Sequence, residues 1–191
     1  MDGRDDVQQA EVAVKPQLTH EQKLEKMRVE WDLRAKENAR HYVDTSRTDW
    51  SDDEFFASGE LAIREEVLSD MGNICQGRDP KTMRVVEIGC GAGRLTQALS
   101  KVFGEVHAVD VSGEMIAQAR AALGSRSNIH FYQNNGCDLE VVPALEFDFA
   151  YSAIVFQHIP SYEVIESYVR EVGRLLKPGS LFKFQVQGFL E

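Results

Sequence analysis

No run in the chain approaches the ~18–20 apolar residues that a membrane span requires. Its first 30 residues include Asp2, Asp5, Asp6 and Glu11. They lack the basic start and apolar stretch of a secretory signal, so no membrane partner is expected. Cysteine is scarce, with Cys75, Cys90 and Cys137 odd in number and far apart. That excludes a disulfide scaffold, shows no metal-ligand spacing, and suits a reducing, cytoplasmic setting. His20, His41, His107, His130 and His158 form no zinc motif, and no metal is expected. Bases are outnumbered: 21 Lys and Arg against 31 Asp and Glu leave a net charge of −10. Such a chain repels phosphate backbones, which argues against nucleic acid as a partner. There is no internal repeat and no low-complexity segment.

The 191 residues fit one core domain plus an extension. With 43% apolar and 27% charged residues, the composition is that of a globular protein and excludes disorder throughout. The negative charge is concentrated. Between Asp44 and Asp70 nine acids face only Arg47 and Arg64, a net of −7. This stretch reads first as a solvated surface. An acidic mouth for a cationic substrate, or an oligomer contact, are the other readings.

Residues 1–18 are polar and irregular, a flexible tail. From Thr19 or His20, Leu24, Met27, Trp31, Ala35, Ala39 and Tyr42 recur at spacings of three and four, so they share one helical face. Residues 44–59 read as a loop ending at Gly59, and Glu60–Asn73 as a second helix. These helices make residues 19–78 an N-terminal helical cap. Gly77-Arg78-Asp79-Pro80 breaks the chain. Strands then alternate with helices through residues 79–191. Strands are expected at Met83–Ile88, Val106–Asp110, Ile129–Gln133, Phe147–Ser152 and Leu181–Gln187. Helices are expected at Leu95–Phe103, Gly113–Leu123 and Ser161–Leu176, the last closed by Lys177-Pro178-Gly179. Val141–Leu145 lies in a connection with no full helix. The alternation predicts an α/β fold, a parallel sheet covered on both faces.

The chemistry concentrates at Glu87-Ile88-Gly89-Cys90-Gly91-Ala92-Gly93-Arg94, a strand end, a glycine turn and a helix start. Glycine allows a ligand to touch the main chain, and the helix that follows offers unpaired N–H groups. The dinucleotide fingerprint G-x-G-x-x-G fails in both registers, at Arg94 and at Thr96. No Gly-Lys-Ser/Thr follows, so it is not a P-loop. Asp110 ends the adjacent strand 17 residues after Gly93, where an acid can accept both hydroxyl protons of a ribose. Strand-end capping is the plainer alternative for Asp110. Ser112 caps the next helix, with Glu114 in its first turn.

The acid-x-Gly-x-Gly-x-Gly turn, Asp110 and the layout of strands resemble the class I, Rossmann-like S-adenosylmethionine-dependent methyltransferases. The likeness covers about residues 55–187. It also takes in Glu146–Ser152, Val155–Pro160 and Leu175–Ser180. It implies a three-layer sandwich of strand order 3-2-1-4-5 beneath an N-terminal helical lid, and S-adenosyl-L-methionine as cofactor, leaving as S-adenosyl-L-homocysteine. By that resemblance Glu87 and Gly89 hold the methionine ammonium, Gly91 and Gly93 let the chain pass close, Asp110 grips the ribose and Val111 lies on the adenine. Asn135, Gly136 and Cys137 follow the third strand at the adenine edge, with Cys137 where many relatives have an acid. Ser152 and Val155 lie beside the transferable methyl. Tyr42 is a candidate for the cofactor carboxylate, with plain helix packing as the equal alternative. Trp31, Tyr42, Trp50, Phe55 and Phe56 form the wall in this reading. His158 is the candidate base, against a plain packing role.

The resemblance implies a transferase acting by direct in-line methyl transfer, with a small-molecule acceptor. The Ser152-Ala153-Ile154-Val155 run differs from the Asn/Asp-Pro-Pro-Tyr/Phe motif of nucleobase and glutamine amino-group methylation. Strands six and seven of the usual sheet have no counterpart before Glu191. An open strand-five edge is an association hazard. The chain is therefore expected to be C-terminally shortened. A homodimer through the strand-five edge, or a fold complete with five strands, are the alternatives. A non-catalytic cofactor-binding or regulatory subunit is the first functional rival, and a nicotinamide-dependent oxidoreductase the second.

Overall fold

Short runs rich in Val, Ile and Phe become strands, and the three central ones are buried on both faces, the pattern of a parallel sheet. In the computed structural model, which describes residues 18–186, these are β1 (Arg84–Ile88), β2 (Glu105–Asp110), β3 (Ile129–Gln133), β4 (Phe147–Ser152) and β5 (Leu176–Phe184). They pair in the order β3-β2-β1-β4-β5, and every pairing is parallel. Val86 lies opposite His107 and Ala150, and His107 lies opposite His130. Between the strands run α4 (Arg94–Val102), α5 (Gly113–Leu123) and α6 (Tyr162–Leu175). Residues 1–17 and 187–191, including the expected flexible tail and the end of the predicted fifth strand, lie outside the described residues.

The two faces of the sheet build separate cores. Val85, Val106, Phe149 and Tyr151 pack under Leu95, Leu99 and Phe103 of the α4 side. Val86, Ile88, Phe147 and Ala150 pack against Val164, Tyr168 and Val172 of α6. Each such fully buried side chain contributes ~1.5–3 kcal/mol of transfer free energy. No helix among the described residues is long and apolar enough to cross a membrane.

Helix α1 runs His20–Val43 and opens with a capping box in which Thr19 and Gln22 satisfy each other's backbone N–H. It departs from helical geometry at Asn38. There the side-chain amide donates to Thr48 O (2.8 Å) and its oxygen accepts from His41 N (3.2 Å), replacing ladder bonds locally. Met27, Ala35 and Ala39 are buried, as the spacing predicts. A polar residue aims the helix: Asp32 Oδ1 accepts from Ser112 Oγ (2.6 Å) and Glu114 N (3.2 Å), so α1 caps the start of α5. Gln118 Nε2 donates back to Ala35 O (3.0 Å).

Two boundaries differ from expectation. The segment read as a loop holds most of α2 (Asp52–Glu66), followed by a 3-10 turn (Leu68–Asp70) and α3 (Met71–Cys75). Ser51 and Glu54 form a capping box, and Asp52, Asp53 and Glu54 fill the first turn, where negative charge suits the helix dipole. Gly59 does not end the helix. It lies inside, where a Cβ would sit 2.1 Å from the Arg94 carbonyl oxygen, so its absence lets α2 close on α4. The other boundary is β5, which begins at Leu176 because Leu176 already pairs with Phe147. The register then shifts, and Leu181 is the partner of Phe149.

Candidate active site

The glycine turn joins β1 to α4 at the carboxyl end of the sheet, where open α/β sheets bind ligands. It is pinned to β2 from both sides. Gly89 N and Cys90 N donate to Val109 O (2.7 and 3.0 Å). Gly91 N donates to Asp110 Oδ2 (2.8 Å), and Ser112 N to Asp110 Oδ1 (2.9 Å). Gly89 has φ +74°, and a Cβ there would meet Val155 Cγ2 at 2.2 Å. Only glycine satisfies both conditions. The turn and the ends of β1, β2 and β4 border a pocket whose far wall is α1. Its empty space is about 900 Å³ counted out to the open mouth, solvent included.

Two acids face this space. Glu87 is buried and accepts from Thr96 Oγ1 (2.6 Å). Burial pushes its carboxyl up to about 7; the Thr96 hydrogen bond opposes that and the charge of Asp110 adds to it. Burial likewise pushes Asp110 up to about 6, against the Ser112 and Gly91 amides. Neither acid forms an ion pair among the described residues. Arg94 also borders the pocket and is 7% exposed. Its Nη1 lies 3.4 Å from Asp44 Oδ2 and 3.4 Å from Ser58 Oγ, and its Nε has no hydrogen-bond partner. A buried donor without a partner, and a buried and a half-buried acid without an ion pair, are each costly alone. Together they describe a site that suits a ligand carrying both signs of charge.

Of the residues singled out by sequence, Tyr42, Glu87, Gly89, Gly91, Asp110, Val111, Val155 and His158 border the pocket. Gly93 turns away, and a Cβ on it would meet Leu123 of α5 at 2.8 Å. Ser152 is buried and donates its hydroxyl to Ile88 O (3.0 Å), joining β4 to β1. Asn135 is exposed; its Oδ1 accepts from Cys137 N (2.9 Å) and Asp138 N (3.1 Å), a local turn that also engages Cys137 Sγ. Gly136 packs beneath α1, near Met27. The residue of this loop that reaches the pocket is Asn134, which donates to Tyr168 Oη (2.7 Å) and Asp138 O (2.8 Å). Tyr42 donates to Glu37 (2.9 Å) on the same helix.

The spacing alone does not single out Met27, Met115 and Tyr168 as pocket residues, nor the place of Arg94 in the site. Directly after the third glycine, Arg94 had a legible position but no legible partner. Trp31 borders the pocket as the wall expected of it, and its indole meets the His158 ring edge-on at 5.4 Å. Burial and the Arg34 guanidinium hold His158 below its ordinary value, so near neutrality the ring is uncharged and can take a proton. Ile154, at the pocket mouth, has φ +58°, a costly conformation for a β-branched residue of the kind that clusters at functional sites.

A parallel sheet of this order, with an acid-flanked glycine turn after β1 and an acid closing β2, defines a Rossmann-like domain built for a nucleoside-bearing ligand. Residues 85–179 match the family described as Methyltransferase domain. The chain is 29% identical over 102 residues to a ubiquinone biosynthesis O-methyltransferase of Xanthomonas axonopodis pv. citri, a match covering 53% of this chain and 41% of that protein. It therefore spans about two fifths of the length of that curated relative. An S-adenosylmethionine-dependent methyltransferase from Mesorhizobium loti superposes with a TM-score of 0.52 at 26% identity, over 68% of this chain and 54% of that one. Haemonchus contortus phosphoethanolamine N-methyltransferase 1, in complex with phosphoethanolamine and S-adenosylhomocysteine, superposes with a TM-score of 0.63 over 84% of this chain and 31% of that one; at 19% identity it speaks for the fold. Residues 85–179 form a methyltransferase domain of the class I, S-adenosylmethionine-dependent kind. S-adenosylmethionine is the cofactor of that family, and its ammonium, sulfonium, carboxylate and ribose diol fit the acids and the unpartnered Nε of Arg94.

Proposed function

We propose that this chain transfers a methyl group from S-adenosylmethionine to a small-molecule acceptor by direct in-line displacement. The observation that carries the reading is the pair Glu87, buried, and Asp110, half-buried, acids without an ion pair at the glycine turn. Glu87 and the Gly89 backbone hold the ammonium end. Asp110 takes the ribose hydroxyls on the lone pairs left free by its two amide donors. Arg94 Nε and Tyr42 serve the carboxylate, and Val111 and Asn134 border the adenine. The bound cofactor supplies a sulfonium-activated methyl, so the protein needs to align the acceptor rather than activate the donor.

Val155 and Ile154 shape the passage to the acceptor side, and Trp31 holds the His158 ring there. His158 takes the proton of the attacking group, a role that suits a hydroxyl acceptor. The O-methyltransferase relative makes hydroxylated small molecules the first class to test. The acidic surface between Asp44 and Asp70 keeps polyanionic acceptors away.

The test is transfer of labelled methyl from S-adenosylmethionine to a panel of hydroxylated metabolites, alongside calorimetry with S-adenosylhomocysteine. Binding together with labelled product supports the proposal. Lack of S-adenosylhomocysteine binding would refute it. Binding without turnover across the panel would leave a cofactor-binding module in its place. In an active protein, His158→Ala should lower kcat by ~100-fold or more while leaving S-adenosylhomocysteine affinity near its original value.

A further inference from the structure

We propose that Glu105, His107 and His130 form a binding site for a divalent first-row metal ion of the zinc class, fastening the edge strand β3 to β2. The pairing of β2 with β3 sets His107 opposite His130, and Glu105, two residues before His107, lies on the same face. Both imidazole Nε2 atoms lie 3.1 Å from one carboxylate oxygen, Glu105 Oε1. All three donor atoms fall within 4.8 Å of one another. Tetrahedral ligands at ~2.0–2.1 Å from zinc stand ~3.3 Å apart, so the set needs only small adjustments to close on an ion.

The surroundings hold these donors in place. Arg84 Nε donates to the other oxygen, Glu105 Oε2 (2.6 Å), leaving Oε1 turned to the histidines. Tyr132 Oη lies 3.0 Å from His107 Nδ1, the kind of outer partner that fixes the ring and leaves Nε2 for a metal. Tyr132 also stacks on the His107 ring (6° between planes) and Phe147 meets it edge-on at 5.0 Å. His107 is buried while the His130 side chain is 42% exposed, which gives an ion a route in and leaves a fourth position for water. Two imidazoles and one carboxylate select zinc-like ions over magnesium or calcium, which take oxygen ligands.

The cluster stands apart from the pocket. Glu105 and Asp110 are the two ends of β2, roughly 16 Å apart at the usual strand rise. The site is therefore structural, and it does not depend on the methyltransferase reading. The experiment titrates Zn²⁺ into chelator-stripped full chain by calorimetry and records the visible spectrum with Co²⁺. One equivalent of Zn²⁺ and tetrahedral Co²⁺ bands are expected. His130→Ala, at a half-exposed edge position, should weaken Zn²⁺ binding by more than ~100-fold with an unchanged circular dichroism spectrum, and Tyr132→Phe by about tenfold. Glu105→Gln provides a second ligand deletion with the same expected loss. Absence of saturable binding, binding unchanged in both ligand variants, or a sulfur-to-cobalt charge-transfer band pointing to cysteine would each overturn the proposal.

Discussion

Two ends of one sheet treat their carboxylates in opposite ways. At the amino ends of the strands, Asp148 of β4 is 3% exposed and fully engaged. It accepts from Arg78 Nη1 (2.5 Å), Lys177 Nζ (2.8 Å) and Arg84 N (2.9 Å). Burial alone would raise its carboxyl, yet Lys177, the Arg84 amide and Arg78 hold it below the usual range. At the carboxyl ends, Glu87 and Asp110 have hydroxyl and amide donors but no ion pair among the described residues, and both are pushed up. An acid that holds a fold together is supplied with its cations by the chain. The two acids proposed to meet the cofactor are not.

Breaking the paired end should have the largest effect. Asp148→Asn leaves Arg78 and Lys177 around a neutral side chain and should lower unfolding free energy by about 3 kcal/mol in denaturant titration. S-adenosylhomocysteine affinity of the folded fraction should not change. A loss below about 0.5 kcal/mol would erase the contrast between the two ends of the sheet. At the other end, Asp110→Ala removes the charge-assisted bonds that the proposed function assigns to a ribose. Affinity for S-adenosylhomocysteine should fall by about 1.5–3 kcal/mol, roughly ten- to hundredfold by calorimetry. Unchanged affinity would reject the ribose assignment.

A smaller effect comes from pH. Glu87 and Asp110 hold protons more tightly in the fold than in the unfolded chain, where carboxyls titrate near about 4. Without ligand, their contribution to stability is therefore complete below about pH 4. It is lost as pH rises through about 6 for Asp110 and about 7 for Glu87. A ligand bearing an ammonium group favours the ionised acids, so affinity for S-adenosylhomocysteine should rise about tenfold between about pH 5.5 and 7.5. Glu87→Gln should flatten that rise. The same variant should change unfolding free energy least of all, by under ~1 kcal/mol near pH 6, because glutamine resembles the protonated acid already favoured there. A loss as large as that of Asp148→Asn would show Glu87 to be a structural acid.

The strands and the glycine turn were legible because both announce themselves locally. Short apolar runs bounded by turns located β1 to β4 closely, and Glu87, Gly89, Gly91 and Asp110 stood out by spacing. The start of α2 was legible too, in Ser51-x-x-Glu54, but the many acids and Gly59 made the segment look like a loop. Gly59 is explained only by the α4 backbone it touches. In the loop after β3, one residue of register decides that Asn134 reaches the pocket and Asn135 folds back on its own turn. The histidines showed no ligand spacing because His107 and His130 become neighbours only through the pairing of β2 with β3.

Periodicity, turn chemistry and the alternation of short apolar runs with helices determine a five-stranded parallel sheet and the place of its glycine turn, because these signals act between residues near in sequence. Which acids find cations, which way Arg94 faces, how Asp32 seats the first helix on α5 and where two histidines meet one glutamate were decided by tertiary structure. Those contacts join residues that are far apart along the chain, and only packing sets the distances on which their electrostatics depend.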